Sequence, residues 1–160
     1  AREDGFIAGL KNAGITLLEE NKRTSAFTLE SGYEAALDLL ESKCDIDVIS
    51  CATDTIAAGA IEAIQTYLKK QVPANAADAG ARMRYILENT SIRVTGFGDN
   101  QMLKAVTGGI PTIHFGYKTS GIRGAELLLD SIERGEQIPI EMKLGFRLVG
   151  ADPSDSENQT

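Results

Sequence analysis

The sequence lacks tryptophan and has only one histidine and two cysteines in 160 residues. With so few ligands, no spacing typical of a zinc site occurs, and no metal or other cofactor is predicted. Cys44 and Cys51 are too few and too close in sequence for a disulfide scaffold, which favours reduced thiols. The chain also lacks an apolar run of about 18 residues, the length that a transmembrane helix requires. These absences indicate a cytoplasmic protein without a membrane partner.

The sequence also has fewer positively charged than negatively charged residues. Lysine and arginine number 16 against 23 acidic residues, a formal net charge of −7. Such a chain has no broad phosphate-binding field, so this polypeptide by itself is not expected to bind DNA. Hydrophobic residues make up 42% and charged residues 24%, which is the composition of an ordinary globular domain.

The most informative stretch is residues 47–60 (DVISCATDTIAAGA). A short, mostly apolar run ends at Thr53 and Asp54, and an alanine-rich helical pattern follows at once. Either side chain can cap the helix, and the positive end of the helix dipole favours Asp54 there. In an open parallel sheet such strand ends line the crevice where ligands bind, so the pair serves the fold, a site, or both.

Strand and helix patterns alternate through most of the rest of the chain. Strands are predicted at 23–28, 47–51, 92–97, 112–115 and 140–148, and helices at 6–13, 31–40, 54–67, 102–106 and 120–133. The helix at 31–40 carries a capping box of Ser31 and Glu34. Residues 69–91 are interpreted as a surface elaboration in which Met83, Ile86 and Leu87 indicate one more short helix before Asn89. Residues 151–160 are interpreted as a disordered tail. This alternation predicts an α/β fold with a doubly wound parallel sheet.

Catalytic motifs are weak. Gly96-x-Gly98 follows a predicted strand but lacks the third glycine and the acidic residue of a dinucleotide site. His114 lies in a strand-like run, where a packed or surface role is commoner than that of a base. No nucleophile elbow is present. The sequence therefore predicts a protein that is not an enzyme.

Polar and aromatic residues do recur where predicted strands end: Phe27, then Thr53 and Asp54, then Asp99 and Asn100. An aromatic face against the apolar carbons of a sugar ring, with carboxylates and amides taking the hydroxyl groups, recognises a small polar molecule without altering it. Arg2 could add a forked donor. Each residue alone is explained by a helix cap or a solvated turn, and their convergence on one crevice favours a binding site.

Residues 2–6, 27–33, 52–60 and 94–100 together resemble the effector-binding domain of lactose/galactose-repressor family regulators. The likeness covers about residues 2–150 except the 69–91 insert. Residues 95–100 and 121–128 look most like sucrose-operon repressors. The resemblance implies a periplasmic-binding-protein-like (type I) fold of two hinged subdomains, of which residues 1–150 form most of the C-terminal one and a crossover to the other.

The resemblance also implies roles for particular residues. It implies an effector site for a sugar or sugar phosphate made by Arg2, Phe27, Thr53, Asp54, Gly98, Asp99 and Phe115. Where this chain has Gly98, family members often carry Asp, which leaves open whether Asp99 compensates or the ligand differs. A homodimer surface is implied at Thr55, Ala58, Ile61, Met102 and Val106.

The expected parent is a sugar-responsive repressor that binds operator DNA as a dimer through an N-terminal head absent from these residues. We expect weak or no effector binding by the 160 residues alone. Two alternatives stay open: an exported sugar-binding protein of a transporter, which the sequence upstream of Ala1 would distinguish, and a nucleotide-dependent α/β enzyme.

Overall fold

The computed structural model describes residues 2–42, 45–69, 78–135 and 140–150. The predicted tail at 151–160 and Cys44 lie outside these ranges. In chain order the elements are α1 (Arg2–Asn12), α2 (Leu29–Glu41), β1 (Val48–Ser50), α3 (Asp54–Tyr67), α4 (Ala79–Glu88), β2 (Arg93–Thr95), α5 (Gln101–Thr107), β3 (Thr112–Phe115), α6 (Tyr117–Arg134) and β4 (Phe146–Val149). A short 3-10 helix at Glu19–Asn21 precedes α2.

The strands form two pairs, and further backbone hydrogen bonds connect one pair to the other. β1 and β2 are parallel with Ile49 opposite Val94, and β3 and β4 are antiparallel. Beyond the end of β2, the amides of Gly96 and Gly98 donate to the carbonyls of Pro111 and Ile113 at 2.9 and 3.0 Å. The tip of β2 therefore runs beside β3, which aligns the carboxyl ends of β1, β2 and β3 at one edge.

Helices α2 and α3 cross at two glycines. A Cβ on Gly59 would meet the backbone oxygen of Leu29 and the amide nitrogen of Tyr33, the latter at 2.5 Å, and one on Gly32 would lie 2.8 Å from the Ile56 oxygen. Only glycine permits this approach, since any side chain would overlap main-chain atoms. The first turns of the two helices consequently touch, and the residues that precede them lie at one edge of the pair.

The core surrounds α3. The predicted inner face is confirmed at Ile56, Ala60, Ala63 and Ile64, which are buried, whereas Tyr67 is exposed. Helix α4 corrects the interpretation of residues 69–91 as a surface elaboration, because Met83 and Ile86 are buried in the same cluster. Residues 70–77 lie outside the described ranges. The short helix predicted from Met83, Ile86 and Leu87 is confirmed as α4, in which Leu87 is partly buried.

The predicted strand at 23–28 does not form. Residues 22–26 have no regular structure; Arg23 pairs instead with Asp38, and the Ala26 amide donates to Ser31 Oγ at 2.9 Å. The predicted cap is also wrong: α2 begins after Thr28, whose hydroxyl accepts from the Ser31 amide. The last strand is shorter than predicted, because the register with β3 ends at Phe115 opposite Phe146.

Helices α1 and α6 contribute no buried residues. The apolar face predicted on α6 exists as a stripe, but Ile122, Leu128, Leu129 and Ile132 are exposed. The helix also starts earlier than predicted, at Tyr117, and ends at Gly135, whose left-handed backbone (φ 66°) provides the expected stop. The sequence pattern predicted this helix correctly. Burial of its apolar stripe would require a packing neighbour, which the described residues do not supply.

Candidate functional site

The candidate site lies at the carboxyl ends of β1 and β2 and along β3, and we call it the strand tips: residues 50–54, 95–100 and 112–117. Backbone bonds hold these segments together, since the Cys51 amide donates to the Thr95 carbonyl at 2.9 Å and the Asp54 amide to the Phe97 carbonyl at 3.2 Å. Irregular backbone at the end of a parallel sheet is where α/β proteins bind ligands.

Thr53 and Asp54 open α3 and have different roles. Thr53 Oγ1 accepts from the Ile56 amide at 3.3 Å, which confirms the predicted cap. Asp54 is buried and has both carboxylate oxygens engaged: Oδ1 accepts from the Thr112 hydroxyl at 2.7 Å and Oδ2 from the Asn100 amide at 2.5 Å. Asp54 is therefore a brace that joins the three segments of the tips, and because it is only 4% exposed its carboxylate is largely closed to an effector.

The turn after β2 depends on two glycines. A Cβ on Gly96 would overlap Asp54 Oδ1, so glycine is required for the brace to form. Gly98 adopts φ 133°, a conformation that other residues rarely adopt. Its carbonyl accepts from the Tyr117 hydroxyl at 3.1 Å. Gly98 thus shapes the tip through its backbone and offers no side chain to a ligand.

Asp99 turns inward. Its backbone is left-handed (φ 52°), its amide lies 3.3 Å from Thr112 Oγ1, and its side chain is only 4% exposed. Oδ2 lies 2.7 Å from His114 Nδ1, while Oδ1 is buried without a hydrogen-bond partner among the described residues. A small cavity of about 70 Å³ lies beside Asp54, Asp99 and Thr112. The sequence left open whether Asp99 compensates for the missing side chain at Gly98. Because the Asp99 side chain is buried, it does not present an exposed carboxylate in that place.

Aromatic rings and Arg2 form the outer part of the tips, where Arg2 and Tyr117 are exposed and Phe97 and Phe115 are half-buried. The Arg2 guanidinium lies 4.0 Å from the Phe97 ring centroid and donates to the Ala52 carbonyl at 2.8 Å. The Phe97 and Phe115 centroids are 4.8 Å apart, and Phe115 meets the edge of Tyr117 at 6.1 Å. A continuous surface of three rings and one cation results, which suits the apolar face of a small polar ligand.

Phe27 lies just before the α2 cap and is 71% exposed. Because the first turns of α2 and α3 touch, Phe27 and Thr53 share the same edge of the helix pair. The structure therefore brings Arg2, Thr53 and Phe115 to the tips with Phe27 at their margin. Asp54 and Asp99 lie beneath.

Sequence reasoning missed three residues of the tips: Phe97, His114 and Tyr117. The available signal was the alternation within β3, because Thr112 and His114 lie two residues apart and both contact the network of Asp54 and Asp99. The single histidine could have been paired with Asp99 on that basis. Tyr117 gave no signal, since it was placed before the predicted start of its helix.

Burial beneath the tips perturbs one thiol. Desolvation raises the pKa of Cys51 from its ordinary value of 9.0 to about 12, and the negative charge of Asp54 adds to the effect. The thiol is therefore protonated throughout the physiological range. A buried, neutral thiol is a packing residue and a poor nucleophile.

The residues expected at a dimer surface separate into two groups. Ile61 is completely buried and Ala58 nearly so, which removes both from any contact with a partner. Thr55 is exposed and Met102 is 76% exposed, whereas Val106 is partly covered by Gly80 of α4. The sequence pattern could not reveal this covering, because α4 was not recognised as part of the core.

Within the described residues, no group of three or more His, Cys, Asp and Glu side chains is arranged to hold a metal ion. None of the helices described combines the length and apolar character that crossing a membrane demands. The site thus consists of aromatic rings, a guanidinium, hydroxyls and an inward carboxylate–histidine pair.

Comparison with known proteins places these observations in context. Residues 1–144 match the family described as periplasmic binding proteins and the sugar-binding domain of the LacI family. A relative from Yersinia enterocolitica, the HTH-type transcriptional repressor PurR, is 28% identical over 148 residues, covering 92% of this chain and 38% of the relative. The chain therefore spans about two fifths of that relative's length.

Solved structures show the same fold. The transcriptional regulator CelR in complex with cellobiose superposes with a TM-score of 0.73 at 22% identity, over 92% of this chain and 40% of that one. The lac repressor dimer bound to operator and the anti-inducer ONPF superposes with a TM-score of 0.70 at 20% identity, over 92% and 45%. At these identities the likeness establishes a periplasmic-binding-protein-like fold.

Proposed function

The chain belongs to the family of periplasmic binding proteins and LacI-type sugar-binding domains, and we propose that it forms one half of the effector-binding cleft of a sugar-responsive transcriptional repressor. The relative reported above is a repressor, and two solved relatives are regulators, which supports regulation over transport. In this proposal the chain recognises a small molecule without catalysing a reaction, and the parent protein acts in the cytoplasm.

One observation carries the proposal: at the strand tips, the Arg2 guanidinium lies over the Phe97 ring and the Phe97 ring meets Phe115 at a tilt of 47°. Thr53, which is half-buried, belongs to the same tips. Aromatic faces cover the apolar side of a sugar ring, and a guanidinium supplies several donors in a fixed plane. The effector we propose is sucrose or a related sugar or sugar phosphate. The complex of CelR with cellobiose supports the sugar class.

The proposed parent protein binds operator DNA as a homodimer through a separate head. The net charge of −7 on this chain disfavours direct DNA contact by these residues. We place the dimer contact on the exposed side of the α3 start and α5, at Thr55 and Met102. The effector would act by binding one arrangement of the parent more tightly than another, and its leverage equals that difference in affinity.

Thermal unfolding of the chain with a large excess of sucrose or cellobiose tests the sugar class. A ligand that binds only the folded state raises the melting temperature as its concentration rises. The aromatic surface of the tips narrows the earlier expectation of weak or no effector binding to weak binding. We therefore expect a small, saturable rise that Phe27→Ala diminishes. Tyr67→Ala is the matched control, because Tyr67 is also an exposed aromatic residue but lies at the opposite end of α3. Equal responses from the two variants would contradict the proposal.

A further inference from the structure

Asp99 and His114 form a pair that runs from the interior to the surface of the tips. The Asp99 side chain is 4% exposed and that of His114 is 32% exposed, and the two meet at 2.7 Å through Oδ2 and Nδ1. The inner nitrogen of the imidazole is therefore held by a buried carboxylate. Nε2, on the opposite edge of the ring, has no hydrogen-bond partner among the described residues and is not one of their buried unpaired atoms, so solvent or a ligand can reach it.

The buried carboxylate fixes the tautomer of the ring. An ionised carboxylate only accepts hydrogen bonds, so Nδ1 must carry the hydrogen that joins it to Asp99. Oδ1 has no partner among the described residues, which leaves the His114 ring as the side-chain donor to this carboxylate. In the neutral ring Nε2 then has a free lone pair and accepts hydrogen bonds.

The carboxylates of the tips are closed to a ligand, and the hydroxyls of Thr53 and Tyr117 already take part in hydrogen bonds within the tips. Both oxygens of Asp54 are engaged, Asp99 is buried, and Gly98 has no side chain. The His114 ring meets the exposed Tyr117 ring edge-on at 5.9 Å, and Tyr117 in turn contacts Phe115 of the aromatic surface at 6.1 Å. Through Tyr117, the His114 ring thus adjoins the rings that would cover a sugar.

We propose that Nε2 of His114 is a specificity-determining acceptor of the effector site, which binds a ligand hydroxyl group, and that Asp99 is a positioning residue that sets its tautomer. The inference rests on the proposed sugar-binding function and adds to it. It selects ligands that donate a hydroxyl hydrogen at this point and discriminates against analogues that present an ether or carbonyl oxygen there, because two acceptors cannot bond.

Two conservative variants separate ligand contact from structural support. The amide nitrogen of His114→Asn takes the position of Nδ1 and can still donate to Asp99, but nothing replaces Nε2. His114→Gln places its terminal amide near the position of Nε2 and can supply an acceptor oxygen there. If His114 served only to satisfy Asp99, the Asn variant would be the benign one.

The test is nitrogen-15 NMR of the ring, combined with titrations of sucrose and cellobiose. The chain has one histidine, so the imidazole signals are unambiguous. At about pH 8 we expect the hydrogen on Nδ1 in the wild type and a shift towards Nε2 in Asp99→Leu, which removes the acceptor. We expect either sugar to shift Nε2 together with the amides of Thr53 and Phe97.

His114→Asn should weaken sugar binding about tenfold, as expected for one lost hydrogen bond, with the melting temperature unchanged, and His114→Gln should recover part of it. A wild-type hydrogen on Nε2, or unchanged binding by His114→Asn, would overturn the inference. Shifts at Thr53 and Phe97 without one at Nε2 would also overturn it and leave the sugar site standing. Absence of any shift would overturn the site and the inference together.

Discussion

The hydroxyl of Thr112 donates to Asp54 Oδ1 across 2.7 Å, joining residues 58 positions apart in the sequence. This bond ties the start of β3 to the first turn of α3. The second Asp54 oxygen holds the Asn100 amide, which adds the start of α5. One carboxylate therefore determines how three segments of the strand tips are placed relative to each other.

Replacing this carboxylate should destabilise the chain. Asp54→Ala would leave the Thr112 hydroxyl and the Asn100 amide without their acceptor, and we expect a loss of about 2–4 kcal/mol in the free energy of unfolding. Asp38→Ala is the control, because Asp38 pairs with Arg23 on the surface and should cost about 1 kcal/mol or less. Urea denaturation measures both. Equal costs would mean that Asp54 is not a brace.

A methyl group at the helix crossing tests the packing of α2 on α3. Gly59→Ala would force its Cβ against the main chain of Leu29 and Tyr33, and we expect a loss of about 3 kcal/mol or more, since neither backbone can yield cheaply. Gly124→Ala in α6 meets nothing within 4 Å and should stabilise the chain by roughly 0.5–1 kcal/mol. Thermal unfolding of the two variants should shift in opposite directions.

Residues 47–60 illustrate what the sequence could predict. The helix start at Thr53 and the buried face of α3 follow from a local cap and a helical period, both of which a sequence displays. The roles of Asp54 and Asp99 could not be predicted, because their partners Thr112 and His114 come from another strand. A polar residue at a strand end looks the same whether it faces inward or outward.

Short strands show a second limit. Residues 23–28 have strand propensity, yet β structure requires a neighbour that exchanges backbone hydrogen bonds, and the described residues provide none. The same dependence shortened the predicted strand at 140–148, which pairs only where β3 lies beside it. Helices carry their hydrogen bonds internally, and the predicted helices of the described chain are present.

The thiol of Cys51 should resist alkylation until high pH. Its pKa is raised to about 12, so the reactive thiolate is scarce in the folded protein at about pH 8. In a Cys44→Ser variant, iodoacetamide should label Cys51 slowly when the chain is folded and rapidly in urea. Equal rates in the two states would contradict the burial.

The raised pKa of Cys51 also makes the free energy of unfolding depend on pH. In the folded chain the pKa of the Cys51 thiol exceeds its ordinary value of 9.0. The contribution of this protonated thiol to stability is therefore fully present below pH 9.0 and is lost as pH rises towards about 12. Cys51→Ala should therefore flatten the decline in the free energy of unfolding over that interval. If the free energy of unfolding declines with pH in the variant as it does in the wild type, groups other than Cys51 cause the decline.

Ile61 and Met102 should respond in opposite ways. Ile61→Ala empties a fully buried position and should cost about 2–5 kcal/mol. Met102→Glu alters a side chain that is 76% exposed and should leave the free energy of unfolding nearly unchanged while weakening the proposed dimer. Denaturation and sedimentation equilibrium measure the two quantities separately. A Met102 variant that dimerises like the wild type would exclude α5 from the contact.

The most direct test of the central claim is an amide chemical-shift map of the chain titrated with cellobiose and with sucrose. If the strand tips form half of a sugar-binding cleft, the shifts should concentrate at Thr53, Phe97, Phe115 and Tyr117, with Phe27 at the margin, and leave α4 unchanged. Shifts scattered over α4 and α6, or the absence of any shift at the tips, would contradict the account.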